Sequence, residues 1–289
     1  MRKIIDCHTH TTFSPDGHSS PKEMCESAKR LGLSAYAITD HCECSTWFDE
    51  EYYDGIGARK SDDPFVVYDY KSRFYNAVDN ISKLKSEYNG KLNLISGIEL
   101  GQPTQGWEGA DEVAGNKNLD FIIGSLHQIR EHDDFAFLNY ACYSESEIES
   151  ILEKYYAEML EMVNWNKFDV LGHLTYPLRY IVGEQGVEVN NDRYDDMIFE
   201  IFKKLSYNGK GIEINTSGFR QKYGIPFPDI KYVKMFKDVG GEILSIGSDA
   251  HCTKDLGSGV DKGAEIAVSA GFRHLCYFKQ RKPQFISIE

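Results

Sequence analysis

The sequence contains no run of eighteen or more apolar residues, which excludes a membrane-spanning helix of ordinary length. Its opening stretch, MRKIIDCHTH, has neither a long apolar core nor a small-residue cleavage site, so no signal peptide and a cytoplasmic location are expected. Cysteine is sparse and irregular: seven residues, an odd number without a disulfide rhythm, as suits a reducing compartment. The one close pair, Cys42 and Cys44, reads as two small buried thiols, because C-x-C alone is a weak metal signal. Basic residues are outnumbered, 32 Lys and Arg against 45 Asp and Glu. The net charge of −13 argues against binding along a nucleic-acid backbone and leaves room only for a small phosphate held locally. There is also no internal repeat of solenoid length and no low-complexity linker, so residues 1–289 are expected to form a single domain.

What is present is a recurring pattern. Short apolar runs end in polar residues able to bind metals: KIIDCH (3–8), AYAITDH (35–41), LNLISGIE (92–99), FIIGSLH (121–127), DVLGH (169–173), GIEIN (211–215) and EILSIGSDAH (242–251). Segments of helical periodicity lie between most of them, including one behind Ser19-Ser20, one at YKSRFYNAVDNISKLKSEY and one at SESEIESILEKYYAEMLEMVNWN. RYDDMIFEIFKKLSY, the weaker PDIKYVKMFKDVG and SGVDKGAEIAVSAGF follow. Alternating strand and helix implies parallel strands with crossover helices. A doubly wound open sheet would leave its outer strands far from any shared site. Ligand-type residues end nearly every strand here, and only closure brings them together. The fold class expected is therefore α/β, a distorted seven-stranded TIM-like barrel with a metal site at the C-terminal ends of its strands. A long polar and aromatic connection, 43–67, interrupts the rhythm and is expected to be functional or mobile.

The ligand candidates are His8, His10, Asp16, His41, Glu99, His127, His173, Asp249 and His251. Imidazoles with carboxylates suit zinc, iron or manganese better than calcium or magnesium. Burying so many such groups without a cation would leave costly unsatisfied atoms. Four ligands suffice for one structural zinc, so nine imply two or three ions sharing carboxylates. Adjacent ions clamp a phosphoryl group and turn bridging water into hydroxide near neutral pH, which is the help that phosphate ester hydrolysis needs. Charge balance favours three divalent ions over two, since three come near neutrality with Asp16, Glu99, Asp249, a hydroxide and a phosphate monoester.

DCHTHTTFSPDG, ITDHCE, GIEL, GSLHQI, LGHLTYPLRY, EINTSGFR and IGSDAH, in that order, resemble the polymerase-and-histidinol-phosphatase (PHP) superfamily, and within it the histidinol-phosphatase branch. The resemblance runs from Asp6 to about Gly257. It implies a trinuclear site: His8, His10, Glu99 and Asp249 on one ion, Glu99, His127 and His173 on a second, Asp16, His41 and His251 on a third. It also implies a phosphomonoesterase releasing L-histidinol and phosphate from L-histidinol phosphate, with Glu99, Asp249 and His251 catalytic and His251 a candidate proton donor. The alternatives are a related phosphoesterase acting on nucleotides or nucleic-acid ends, and a non-enzymatic metal-binding module.

For the phosphate itself, Arg179 and Arg220 each follow a strand end by a few residues and offer guanidinium forks. Asn215 could orient substrate or close a turn. The 43–67 connection carries seven acidic residues, and Glu43, two residues beyond His41, is the first candidate to receive a substrate's cationic end. His18 could approach the site from the first loop; His132 and His274 are expected at the surface or in structural roles. The expected partner is a small phosphate monoester, with neither nucleic acid nor membrane.

Overall fold

The protein is described by a computed structural model over residues 5–46 and 70–288. Eight parallel segments form the main sheet: β1 (Ile5–Asp6), β2 (Ala35–Ile38), β3 (His41–Glu43), β4 (Leu94–Gly101), β5 (Phe121–Ser125), β6 (Val170–Leu171), β7 (Gly211–Asn215) and β8 (Leu244–Gly247). β2 and β3 lie end to end along β4, with Tyr36 opposite Leu94 and His41 opposite Glu99, so the segments act as seven staves. Their order is β1-β2-β4-β5-β6-β7-β8. The Cys7 amide donates to the Ile246 carbonyl at 2.9 Å and the Asp249 amide to the His8 carbonyl at 2.8 Å, nearly closing the ring between first and last strands. The seven-stranded barrel expected from the alternation is thus the fold, with a strand on each apolar run; β4 continues two residues past its run and β3 starts where the run of β2 ends.

Helices cover the outside where their signals are explicit. Ser20 caps α1 (Pro21–Leu31), accepting from the Glu23 amide while Glu23 returns to the Ser20 amide, and left-handed Gly32 ends it. Ser144 and Glu147 do the same for α4 (Glu145–Trp165). Asp229 caps α6 (Ile230–Asp238) through the amides of Lys231 and Tyr232, which explains how that weakly patterned segment becomes a helix. α2 (Tyr70–Glu87), α5 (Asp195–Tyr207) and α7 (Val260–Ser269) complete the expected set. The pattern did not announce α3 (Trp107–Ala114), which has eight residues and no side-chain cap.

Two buried carboxylates fix the loops at the site. Asp6 accepts from the amide and hydroxyl of Ser248 and from the Gly257 amide, tying β1 to the segment after β8. Asp40 accepts from the amide and hydroxyl of Thr11 and from the Ser14 hydroxyl, shaping the loop after β1. Cys42 and Cys44 are buried in the main core, as expected. Of the 43–67 connection, residues 47–67, with Asp49, Glu50, Glu51, Asp54, Asp62 and Asp63, lie outside the described residues.

The opposite end of the barrel is covered by an antiparallel hairpin, β9 (His274–Lys279) and β10 (Lys282–Ser287). Its two turn residues, Gln280 and Arg281, are both left-handed, as a tight hairpin turn requires. Their amides donate to Asp120 just before β5, and Arg281 Nε lies 2.5 Å from Asp169 Oδ2 just before β6. Phe278 stacks on Phe121 with ring centroids 5.0 Å apart. Because Asp169 is buried, Arg281→Met leaves a carboxylate without its cation. Denaturant unfolding should show a loss of about 3 kcal/mol.

Candidate metal centre

β4 is buried along its whole length, and Glu99 near its end is 1% exposed. Around its carboxylate stand imidazoles from four other strand ends. Oε2 lies 3.2 Å from His8 Nε2, 3.5 Å from His10 Nε2 and 2.9 Å from His41 Nδ1. Oε1 lies 3.1 Å from His127 Nε2 and 2.7 Å from His173 Nε2, and accepts from the Ser125 hydroxyl at 2.8 Å. Asp249 Oδ1 faces His10 Nε2 at 3.2 Å and His8 Nε2 at 3.7 Å. At the rim, Asp16 Oδ2 lies 3.0 Å from His251 Nε2 and 3.8 Å from His41 Nε2.

The rings are turned by what stands behind them. His8 Nδ1 is 2.7 Å from Glu213 Oε1, and His127 Nδ1 is 3.2 Å from Glu43 Oε1. His251 Nδ1 faces the Asp249 carbonyl at 3.0 Å. His10 Nδ1 is 3.2 Å from Ser14 Oγ, whose own hydrogen goes to Asp40, so Ser14 accepts. Four acceptors therefore fix a hydrogen on Nδ1 of four rings, so that when these rings are neutral, as a metal ligand must be, the Nε2 lone pairs point inward.

Residues so arranged fit metal ions. Nε2 of His8, His10 and His251 and Oε2 of Glu99 are buried without a hydrogen-bond partner among the described residues. Ligand atoms on a tetrahedral zinc ion sit about 3.3 Å apart, close to the separations just given. Four sets have ligand atoms within 4.8 Å of one another: His8, His10 and Asp249; Glu99, His127 and His173; His10, His41 and His251; and His41, Glu43 and His127. The first two fall inside the groupings that the sequence resemblance implied. The third puts His10 where Asp16 was expected, although Asp16 is within reach. The fourth includes Glu43, which sequence reasoning had reserved for substrate.

Charge follows geometry. Burial would lower His127, but the Glu43 and Glu99 carboxylates outweigh it and raise its pKa to about 10. Burial also opposes the rise of His8, which Glu213, Glu99 and Asp249 bring about, and that of His41, which Glu99 and Asp16 cause. His10, buried and facing His251 and His41, is lowered to about 3. Glu99 and Asp249 resist burial's upward push and lie well below the carboxylate range because of the surrounding imidazoles.

A cavity of about 510 Å³ opens over these groups. Asp16, His18, Glu43, Gln102, Asp134, Tyr176, Arg179 and Tyr180 are on its wall. Arg179 begins a turn of π-helix, Arg179–Glu184, a backbone form often found at functional sites. Arg220 is not on the wall: its guanidinium donates to the carbonyls of Ser248 and Asp249 at 2.6 and 2.7 Å, holding the turn in which Asp249 has φ +54°. Asn215 donates to Asp249 Oδ2 at 3.3 Å and accepts from the amide and hydroxyl of Ser217. Sequence reasoning missed Glu213 and Asp134. A glutamate inside the apolar run GIEIN was the available signal for the first; nothing marked the second.

The sequence model of the PHP domain matches residues 6–217. A Thermotoga maritima protein named probable histidinol-phosphatase is 28% identical over 94% of this chain and 94% of its own length. Histidinol-phosphatase of Lactococcus lactis is 24% identical over 97% of this chain and 96% of its own. The crystal structure of Lactococcus lactis histidinol phosphate phosphatase, complexed with zinc, L-histidinol and phosphate, covers 98% of this chain and 99% of its own with a TM-score of 0.74 at 23% identity, a likeness of fold.

The raised His127 has a consequence for the metal-free protein. A histidine with a folded pKa of about 10 against an ordinary 6.5 contributes stability that is fully present below pH 6.5 and lost as pH rises through 10. Chelator-treated protein should therefore lose unfolding free energy between pH 7 and 10, and His127→Asn should flatten that slope in denaturant titrations.

Proposed function

The chain belongs to the PHP domain family, and from that premise we propose that it is a metal-dependent phosphomonoesterase that hydrolyses L-histidinol phosphate to L-histidinol and phosphate. The observation that carries this reading is the convergence of five imidazoles on Glu99 beneath a cavity whose wall holds Arg179. The names of relatives matched along almost their whole length support the substrate.

His8, His10, Asp16, His41, Glu99, His127, His173, Asp249 and His251 would hold the ions, with Glu43 at the margin. Zinc, manganese and iron all suit the donors. Three ions remain favoured over two, because Glu43 and Glu213 enlarge the negative charge that the cations must balance. Bound divalent cations supply Lewis acidity toward a phosphoryl group and toward water.

The chain's own residues divide the remaining work. Arg179 receives phosphate oxygens from the cavity wall. Arg220 and Asn215 act through Asp249, the one gripping its main-chain oxygen and the other its carboxylate. Glu43 orients His127, which leaves Asp134 as the carboxylate better disposed to receive the substrate's cationic end. Burial raises the Asp134 pKa, and the charge of His127 opposes the rise. A cationic ligand group would repay that burial. Gln102 adds a buried amide oxygen with no hydrogen-bond donor on the same wall. His251, with Nδ1–H given to the Asp249 carbonyl, presents only Nε2 to the site, so its role is ligation and orientation rather than proton donation.

Enzyme loaded with zinc or manganese should turn over L-histidinol phosphate far faster than glycerol phosphate or p-nitrophenyl phosphate; equal rates would refute the substrate. Glu99→Gln should lose bound metal and fall in activity by more than the about 100-fold that loss of an outer partner costs. Asp134→Asn should raise KM for L-histidinol phosphate about tenfold and leave KM for p-nitrophenyl phosphate unchanged.

A further inference from the structure

β7 is the stave that ends without a metal-ligand candidate, yet it places a glutamate in the barrel interior. Glu213 is 1% exposed. One oxygen, Oε1, lies 2.7 Å from His8 Nδ1, and the other, Oε2, accepts from the His173 amide at 3.1 Å. Those contacts reach two ligand-bearing segments, the one after β1 and the one after β6. The space is reserved for this carboxylate: a Cβ on Gly247 would come within 2.5 Å of Oε1 and 2.1 Å of the His8 Cβ. Only glycine at that position lets the glutamate and the imidazole meet.

We propose that Glu213 is a positioning residue of the metal centre, one that fixes the tautomer of His8 and the place of His173 by accepting a hydrogen bond on each of its two oxygens. The chemistry requires a carboxylate. Both partners, the His8 Nδ1–H and the His173 N–H, are donors, so both Glu213 oxygens must accept. A glutamine there has one acceptor and one NH2 group. If its oxygen serves His8, its NH2 opposes the His173 amide. If its oxygen serves the amide, its NH2 forces His8 to accept at Nδ1, which moves the ring hydrogen to Nε2 and removes the lone pair facing Glu99 and Asp249. Each orientation spoils one ligand segment.

The inference rests on the metal reading of the site but not on the identity of the substrate. Glu213→Gln preserves volume and removes one acceptor. Its zinc affinity, measured by competition with a chromogenic chelator, should fall about tenfold or more. Whatever the melting temperature of the metal-free variant, its rise in Tm on adding zinc should be smaller than that of the wild type. In a His8→Ala background the Glu213→Gln effect should diminish, because part of it is transmitted through His8. Unchanged affinity in Glu213→Gln, or an undiminished loss in the His8→Ala background, overturns the proposal. A test on the wild type needs no variant: long-range 1H–15N NMR of the zinc-loaded chain should show His8 protonated at Nδ1, and protonation at Nε2 overturns it equally. Wild-type protein that takes up no zinc would instead refute the metal reading itself, which separates the two failures.

Discussion

Everything at the rim depends on which nitrogen of each imidazole faces inward. A histidine can present either ring nitrogen, and a site built from six of them is useful only if that choice is made beforehand. Four acceptors of three kinds make it here: the Glu213 and Glu43 carboxylates, the Ser14 hydroxyl and the Asp249 carbonyl. With the outer nitrogens anchored, the inner lone pairs converge on Glu99, whose two oxygens divide five rings between them. Such an assembly is costly to bury as it stands, because several of its polar atoms lack a hydrogen-bond partner. The fold tolerates that cost at the place where cations would relieve it.

The barrel supplies the convergence, and buried acids outside the ligand set supply the rigidity. Asp40 organises the loop that carries His10 and, through Ser14, reaches both the His10 ring and the His41 amide. Asp6 pins the chain on either side of Asp249 and His251 to β1. Arg220 holds the left-handed turn at Asp249 by its carbonyl. These groups act on the candidate ligands or the backbone beside them rather than on the cavity, so a change at any of them should displace a candidate ligand without removing one.

The barrel and its ring of donors were legible in the sequence because apolar strands that end in histidine or acid stand out against any background. The resemblance of those motifs to one superfamily agreed with the family match over residues 6–217. The anchors were not legible. Asp6 and Asp40 adjoin candidate ligands and look like part of the same motifs, while Glu213 looks like one polar residue in a strand. Their roles depend on pairings across 242, 29 and 205 residues of sequence, which periodicity cannot reveal. Arg220 shows what position along the chain leaves out: a guanidinium just past a strand end suggests phosphate, and here it also donates to two main-chain carbonyls. The hairpin over the far end escaped notice because its strands are half exposed and carry a faint alternation.

That hairpin follows all seven staves in the chain. During synthesis the strands that build the catalytic rim leave the ribosome before the turn that covers their base. A nascent chain carrying β1 through β8 has Asp169 in place with Arg281 still to come, and Phe121 without Phe278 to cover it. The base of the barrel is therefore uncovered until the hairpin has been made, and a chain cut just before β9 should lose solubility before it loses a single candidate ligand.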